Sequence, residues 1–126
     1  MKRLNFYLLL LLFSLGCERY YNIDDHFTIS TFNEDDLSLF YLDDQNRMFD
    51  VIGPTVKAYF KCGNDLYIVQ KPSSSTRSIT DLSTEYYILD LDVDYSNERL
   101  KPFSVSKSRF EETLKTECPE GELNEL

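Results

Sequence analysis

Cys62 and Cys118 restrict the fold of this chain more than any other pair of residues. Cys62 ends a run from Thr55 in which Val56, Ala58, Phe60 and Cys62 alternate with Lys57, Tyr59 and Lys61, the period of a strand with one buried face. Cys118 follows Phe110 and Leu114 at intervals of four, which is the spacing of a single helical stripe. Both sulfurs therefore belong to apolar faces, and a bond between them would lay a C-terminal helix across a sheet. Such a bond would close a loop of roughly 57 residues and be worth about 4 kcal/mol in the chain-entropy account. In a small domain that is a large share of the net stability.

Bonding requires an oxidising compartment, and the N-terminus reads as an export signal. Lys2 and Arg3 give it a basic start, and Phe6 to Phe13 give it an apolar middle. A helix from Leu4 to Gly16 would reach only about 20 Å, against roughly 30 Å for a hydrocarbon core, so a permanent span is not expected. Ser14-Leu15-Gly16-Cys17 resembles a bacterial lipobox, although Ser14 stands where Leu is usual and Leu15 where a small residue is usual. The resemblance implies cleavage before Cys17 and attachment of palmitate-type chains to its sulfur. Ser14-x-Gly16 also fits ordinary secretory cleavage, which would release a soluble periplasmic or secreted protein. The lipid reading is preferred because the apolar run ends at the cysteine and because spending Cys17 leaves Cys62 and Cys118 to pair. Glu18, rather than Asp, after the cysteine favours an outer membrane where one exists.

Loss of residues 1–16 leaves about 110 residues, enough for one domain. That part carries 11 basic and 22 acidic side chains, a net charge of −11. A field of this sign repels phosphates, so nucleic acid is not an expected partner, and attachment to a bilayer must come from acyl chains rather than a basic patch. Two or three chains on Cys17 would suffice for stable anchoring. The expected layout is a signal at 1–16, a lipidated cysteine with a short polar tether at 17–26, a β-rich domain at 27–118 and an acidic tail at 119–126.

Within the domain, Phe27 to Phe32, Leu37 to Leu42 and Met48 to Ile52 read as strands, separated by Asp43-Asp44-Gln45-Asn46 and Gly53-Pro54. Thr55 to Lys71, folded at Gly63-Asn64-Asp65, reads as a β-hairpin. Pro72 to Thr84 is a Ser-rich loop, read as a spacer. Glu85 to Val93 returns to strand, with Tyr87, Leu89, Leu91 and Val93 on one face. Ser104 or Ser106 can cap a helix that Pro119 stops, and Ser108-x-x-Glu111 repeats a capping-box spacing. The expected class is α+β, mostly β: a small antiparallel sheet or half-barrel of five or six strands with one C-terminal helix packed on it. The strings YFKCGNDLYIVQK, EYYILDL and KPFSVSKSRFEETL resemble a recurrent pattern in small bacterial lipoproteins of unknown function. The resemblance spans roughly residues 55–115 and implies a fold, with no catalytic residues to carry over.

Candidate chemistry is sparse. Asp90-x-Asp92-x-Asp94-x-Ser96 begins like a calcium loop, but Tyr95 stands where such a loop needs Gly and Lys101 where it needs a bidentate Glu. Three carboxylates on one solvated strand face is the preferred reading, with a non-helical calcium site as the alternative. Two isolated cysteines and His26 lack the close ligand pairs of a zinc site, so no metal is expected. His26 has no neighbouring nucleophile, the chain has no Gly-x-Ser-x-Gly elbow, and no cofactor motif is present. An enzyme is therefore not expected. Tyr86, Asp90, Asp92 and Asp94 form the candidate binding surface, in a module that would inhibit or give immunity to a cationic protein. A structural or accessory subunit of an envelope complex is the alternative. The intact mass of the mature protein is expected to correspond to a chain beginning at Cys17 with acyl chains added and two protons missing for the Cys62–Cys118 bond.

Overall fold

The computed structural model describes residues 20–33, 36–71, 84–97 and 99–126. The expected leader, Cys17 and positions 72–83 of the stretch expected as a Ser-rich loop lie outside these residues. Nine strands and one helix are present among the described residues: β1 Tyr20–Asn22, β2 Phe27–Asn33, β3 Asp36–Leu42, β4 Met48–Ile52, β5 Val56–Cys62, β6 Asp65–Gln70, β7 Glu85–Asp90, β8 Ser104–Val105, α1 Lys107–Glu117 and β9 Asn124–Glu125. All pairings are antiparallel, and they form a four-stranded sheet, β1-β2-β3-β4, and a five-stranded sheet, β8-β7-β6-β5-β9. The expected mostly-β fold with one C-terminal helix is present. Its strands are divided between two sheets rather than collected in one of five or six.

The two sheets face each other across a core built by alternation. Register places Ile29 opposite Leu39 and Phe27 opposite Tyr41, so every second residue of β2 and β3 points inward. These side chains meet Val56, Leu66, Ile68, Leu89 and Leu91 of the second sheet and its following turn, with Ile52 completing the cluster. All are nearly or completely removed from water. Tyr21, Tyr59, Tyr87 and Tyr95 pack around its margin.

The second sheet is buried on its other face as well, by α1. Phe110 is inaccessible, and its ring lies 5.4 Å from that of Tyr67 and 5.1 Å from that of Tyr86. Ser106 caps the helix, its hydroxyl accepting from the Arg109 N–H at 3.2 Å. At the other end the Cys118 N–H donates to the Leu114 carbonyl, and Cys118 is disulfide-bonded to Cys62. The sulfur bridge and the Phe110 contacts thus hold one helical stripe against one sheet face.

Three elements depart from simple alternation. An extra residue at Lys57 shifts the β5–β6 register, so Val56 pairs with Gln70 but Ala58 with Val69. Val56 consequently joins the sandwich core, whereas Ala58 and Phe60 share the helix side with Val69 and Tyr67, and the expected single face is divided. β7 ends at Asp90, three residues before the expected Val93, because the chain turns there. Residues expected as tether and tail add strands to the sheets: Tyr20–Asn22 pairs with β2, and Asn124–Glu125 pairs with β5. Gly121 permits that return. A Cβ there would lie 2.6 Å from the Phe60 ring and 3.1 Å from the Cys118 carbonyl oxygen.

The Tyr67 hydroxyl is buried without a hydrogen-bond partner among the described residues. Removing an unsatisfied buried polar group relieves its desolvation cost. Tyr67→Phe is therefore expected to raise the free energy of unfolding by about 1 kcal/mol, and Phe110→Ala to lower it by about 3–5 kcal/mol, both read from urea titration.

Candidate functional site

Tyr86, Asp90, Asp92 and Asp94 do not form one surface. Tyr86 lies beneath α1, half-buried against Phe110, at the opposite end of β7 from the aspartates. Asp90 and Asp92 are held together by Asn64 of the β5–β6 turn, whose side-chain amide donates to Asp90 Oδ1 at 3.0 Å and Asp92 Oδ2 at 2.6 Å. The turn itself has Gly63 at positive φ (59°), the conformation a two-residue hairpin needs at its first position. Asp90 also accepts from the Asp92 N–H, and Asp94 from the Ser96 N–H, each at 2.9 Å. These carboxylates spend part of their bonding capacity on organising turns. No cluster of three or more potential metal ligands is found among the described residues.

The structure instead gathers aspartates from several loops. Asp24 and Asp25 lie between β1 and β2, Asp43 and Asp44 between β3 and β4, and Asp65 begins β6. Asp90, Asp92 and Asp94 end β7 and follow it. Antiparallel pairing brings all these connections to one end of the sandwich. The aromatic group Phe27, Tyr41 and Tyr95 ties the two sheets there, with ring separations of 5.2–6.4 Å. The Tyr41 hydroxyl faces Asp94, and burial followed by that negative charge raises its pKa. Proximity in sequence made Asp90 to Asp94 visible as a group. Their association with Asp24, Asp25, Asp43 and Asp44 depends on strand order, which the sequence does not state.

His26 sits within this acidic end, stacked on Tyr41 with ring centroids 5.4 Å apart. Its Nδ1 is 2.8 Å from the Leu42 carbonyl oxygen. That hydrogen bond is the main cause raising its pKa, supported by Asp44, Asp24 and Asp25 and opposed by partial burial. No serine or cysteine is hydrogen-bonded to the ring among the described residues. Asp43 experiences some desolvation, but donation from the Arg47 backbone and guanidinium and from the Gln45 N–H outweighs it and lowers its pKa. Bonds from Ser96 lower that of Asp94.

A second concavity of about 580 Å³ lies at the other end of the five-stranded sheet, between α1 and β9. Ala58, Val69 and Tyr86 form its floor, Phe110 and Leu114 one wall, and Leu123 and Glu125 the other, with Leu126 at the edge, its side chain packed against the intersheet core. Leu123 and Glu125 belong to the segment expected as an acidic tail beyond Pro119. Comparison of the chain with protein-family models, with characterised proteins and with solved structures gives no match.

These groups set opposite limits on pH. His26, raised above its ordinary 6.5, contributes stability that is complete below that value and lost as pH rises through its higher folded value. Asp43 and Asp94, lowered from 3.8, contribute stability above that value that is lost as pH falls through their lower folded values. Urea midpoints are expected to decline on both sides of the interval from about 3.8 to 6.5, and His26→Gln to abolish only the decline that begins above 6.5 and precedes tyrosine ionisation near 10.

Proposed function

We propose that this chain is a lipid-anchored, non-catalytic binding module of the bacterial cell envelope, attached through Cys17 and receiving a cationic protein at its acidic end. The observation that carries this reading is the convergence of aspartates from separate loops on one end of the sandwich. Arg47, held to Asp43 at 2.8 Å, and His26 offset only part of that charge. Together with a net charge of −11 on the chain from Cys17 onward, such a surface would steer a basic partner and speed its encounter. The direction of β1 supports the arrangement. Its C-terminal end points toward the acidic loops, and Tyr20 at its start is only three residues from Cys17. A lipid on Cys17 would therefore join the fold from the side away from those loops. The partner would be a toxin or an envelope hydrolase that the module restrains.

The test uses the full-length lipoprotein in detergent beside an Asp25→Asn/Asp44→Asn variant, both positions being exposed. A basic envelope protein is expected to bind the former, with affinity falling at least tenfold between 50 and 500 mM salt in order-of-magnitude terms, and to bind the variant more weakly. Retention of no basic protein, together with no protection against a toxin encoded beside the gene, would remove the reading.

A structural or accessory role is favoured by a different observation. Phe103 is 88% exposed, and Leu100 and Met48 are about half exposed. Lys101, between the first two, reaches the Asp50 carbonyl of β4 at 3.4 Å. Large apolar side chains in this setting suit a contact with a neighbouring subunit.

A further inference from the structure

The cleft between α1 and β9 is separate from the acidic end in position and in charge. Lys57, the residue interposed in β5, and Lys71, which follows β6, both line the cleft. Deeper residues are apolar: Ala58, Val69, Tyr86, Leu114 and Leu123. Its volume lies within the range of small-molecule sites, and its apolar floor is rimmed by two lysines and two glutamates, Lys57, Lys71, Glu111 and Glu125. Neither lysine ammonium has an ion-pair or hydrogen-bond partner among the described residues, although the chain carries 22 carboxylate side chains.

We propose that this cleft binds a medium-chain fatty carboxylate, with the alkyl chain on the Ala58–Val69–Tyr86 floor and the head group between Lys57 and Lys71. Charge complementarity selects the head. The two lysines favour an anion, whereas Glu111 and Glu125 on the walls limit how much negative charge the site accepts. Glu111 is partly offset by Lys107, 3.9 Å away. A monoanion fits this balance better than a dianionic phosphate, and an ammonium head would meet the lysines. The half-buried Leu114 and Leu123 supply the apolar walls that an alkyl chain would cover. Each methylene buried there should tighten binding by about three- to fourfold.

Isothermal titration of the full-length protein with octanoate, decanoate and dodecanoate, below their micelle concentrations, tests this inference. The expected result is one saturable site whose affinity rises with chain length. Dodecyl phosphate and dodecylammonium are each expected to bind at least tenfold more weakly than dodecanoate. Lys57→Gln/Lys71→Gln, at exposed positions whose side chains make no described polar contacts, should lose tenfold or more for dodecanoate and retain the native circular dichroism spectrum. Asp25→Asn/Asp44→Asn should leave dodecanoate binding unchanged, which separates this site from the acidic end. No saturable binding, equal binding of all three head groups, or full binding by the double lysine variant would overturn it.

Discussion

Because β5 and β6 carry apolar side chains on both faces, the hairpin they form cannot be stable with water on either side. Leu66 and Ile68 point into the space between the sheets, while Tyr67, between them in sequence, points to the helix side. All three are inaccessible to water. One face is satisfied by Ile29, Leu39 and their neighbours on the first sheet, the other by Phe110 of the helix. The three-layer arrangement, sheet on sheet on helix, follows from that requirement. The Cys62–Cys118 bond fixes the helical layer at the end of the same strand that needs it.

The two ends of this sandwich have different chemistry. At one, turns rich in aspartate hold their own backbone N–H groups and leave further carboxylate oxygens toward solvent. At the other, Thr55 and Lys71 exchange backbone hydrogen bonds, and Gln70 donates to the Gly53 and Pro54 carbonyls while accepting from the Tyr87 hydroxyl. This network fixes the crossing from the first sheet to the second. It also holds Lys57 and Lys71 at the mouth of the helix-side cleft. One end thus carries aspartates almost alone, whereas the other sets two lysines beside two glutamates.

Much of the local structure was legible in the residues. Gly63-Asn64 marked the hairpin turn, Ser106 the start of the helix, and the shared periodicity of Phe110, Leu114 and Cys118 its buried stripe. What was hidden was long-range. Nothing in residues 124–125, Asn-Glu, advertises a strand, since their pairing depends on the β5 edge being available and on Gly121 passing the Phe60 ring. Asp90, Asp92 and Asp94 were expected on a strand face because alternation continues to Val93, but the carboxylate of Asp90 captures the Asp92 N–H and turns the chain. Alternation puts Tyr86 on the same strand face as Asp90 and Asp92, but the length of β7 separates it from them and α1 covers it.

The irregularity at Lys57 has a consequence for how this strand tolerates change. Because one residue is interposed there, Val56 and Ala58 serve opposite sides of the sheet despite having the same parity in sequence. Deleting that residue would make Val56 and Ala58 adjacent, and ordinary alternation would then keep each on the side it already occupies, opposite Gln70 and Val69 as before. Substituting or deleting it therefore leaves both interiors filled, whereas regular pairing of all three residues would force Val56 and Ala58 onto one face and leave the other short of a side chain.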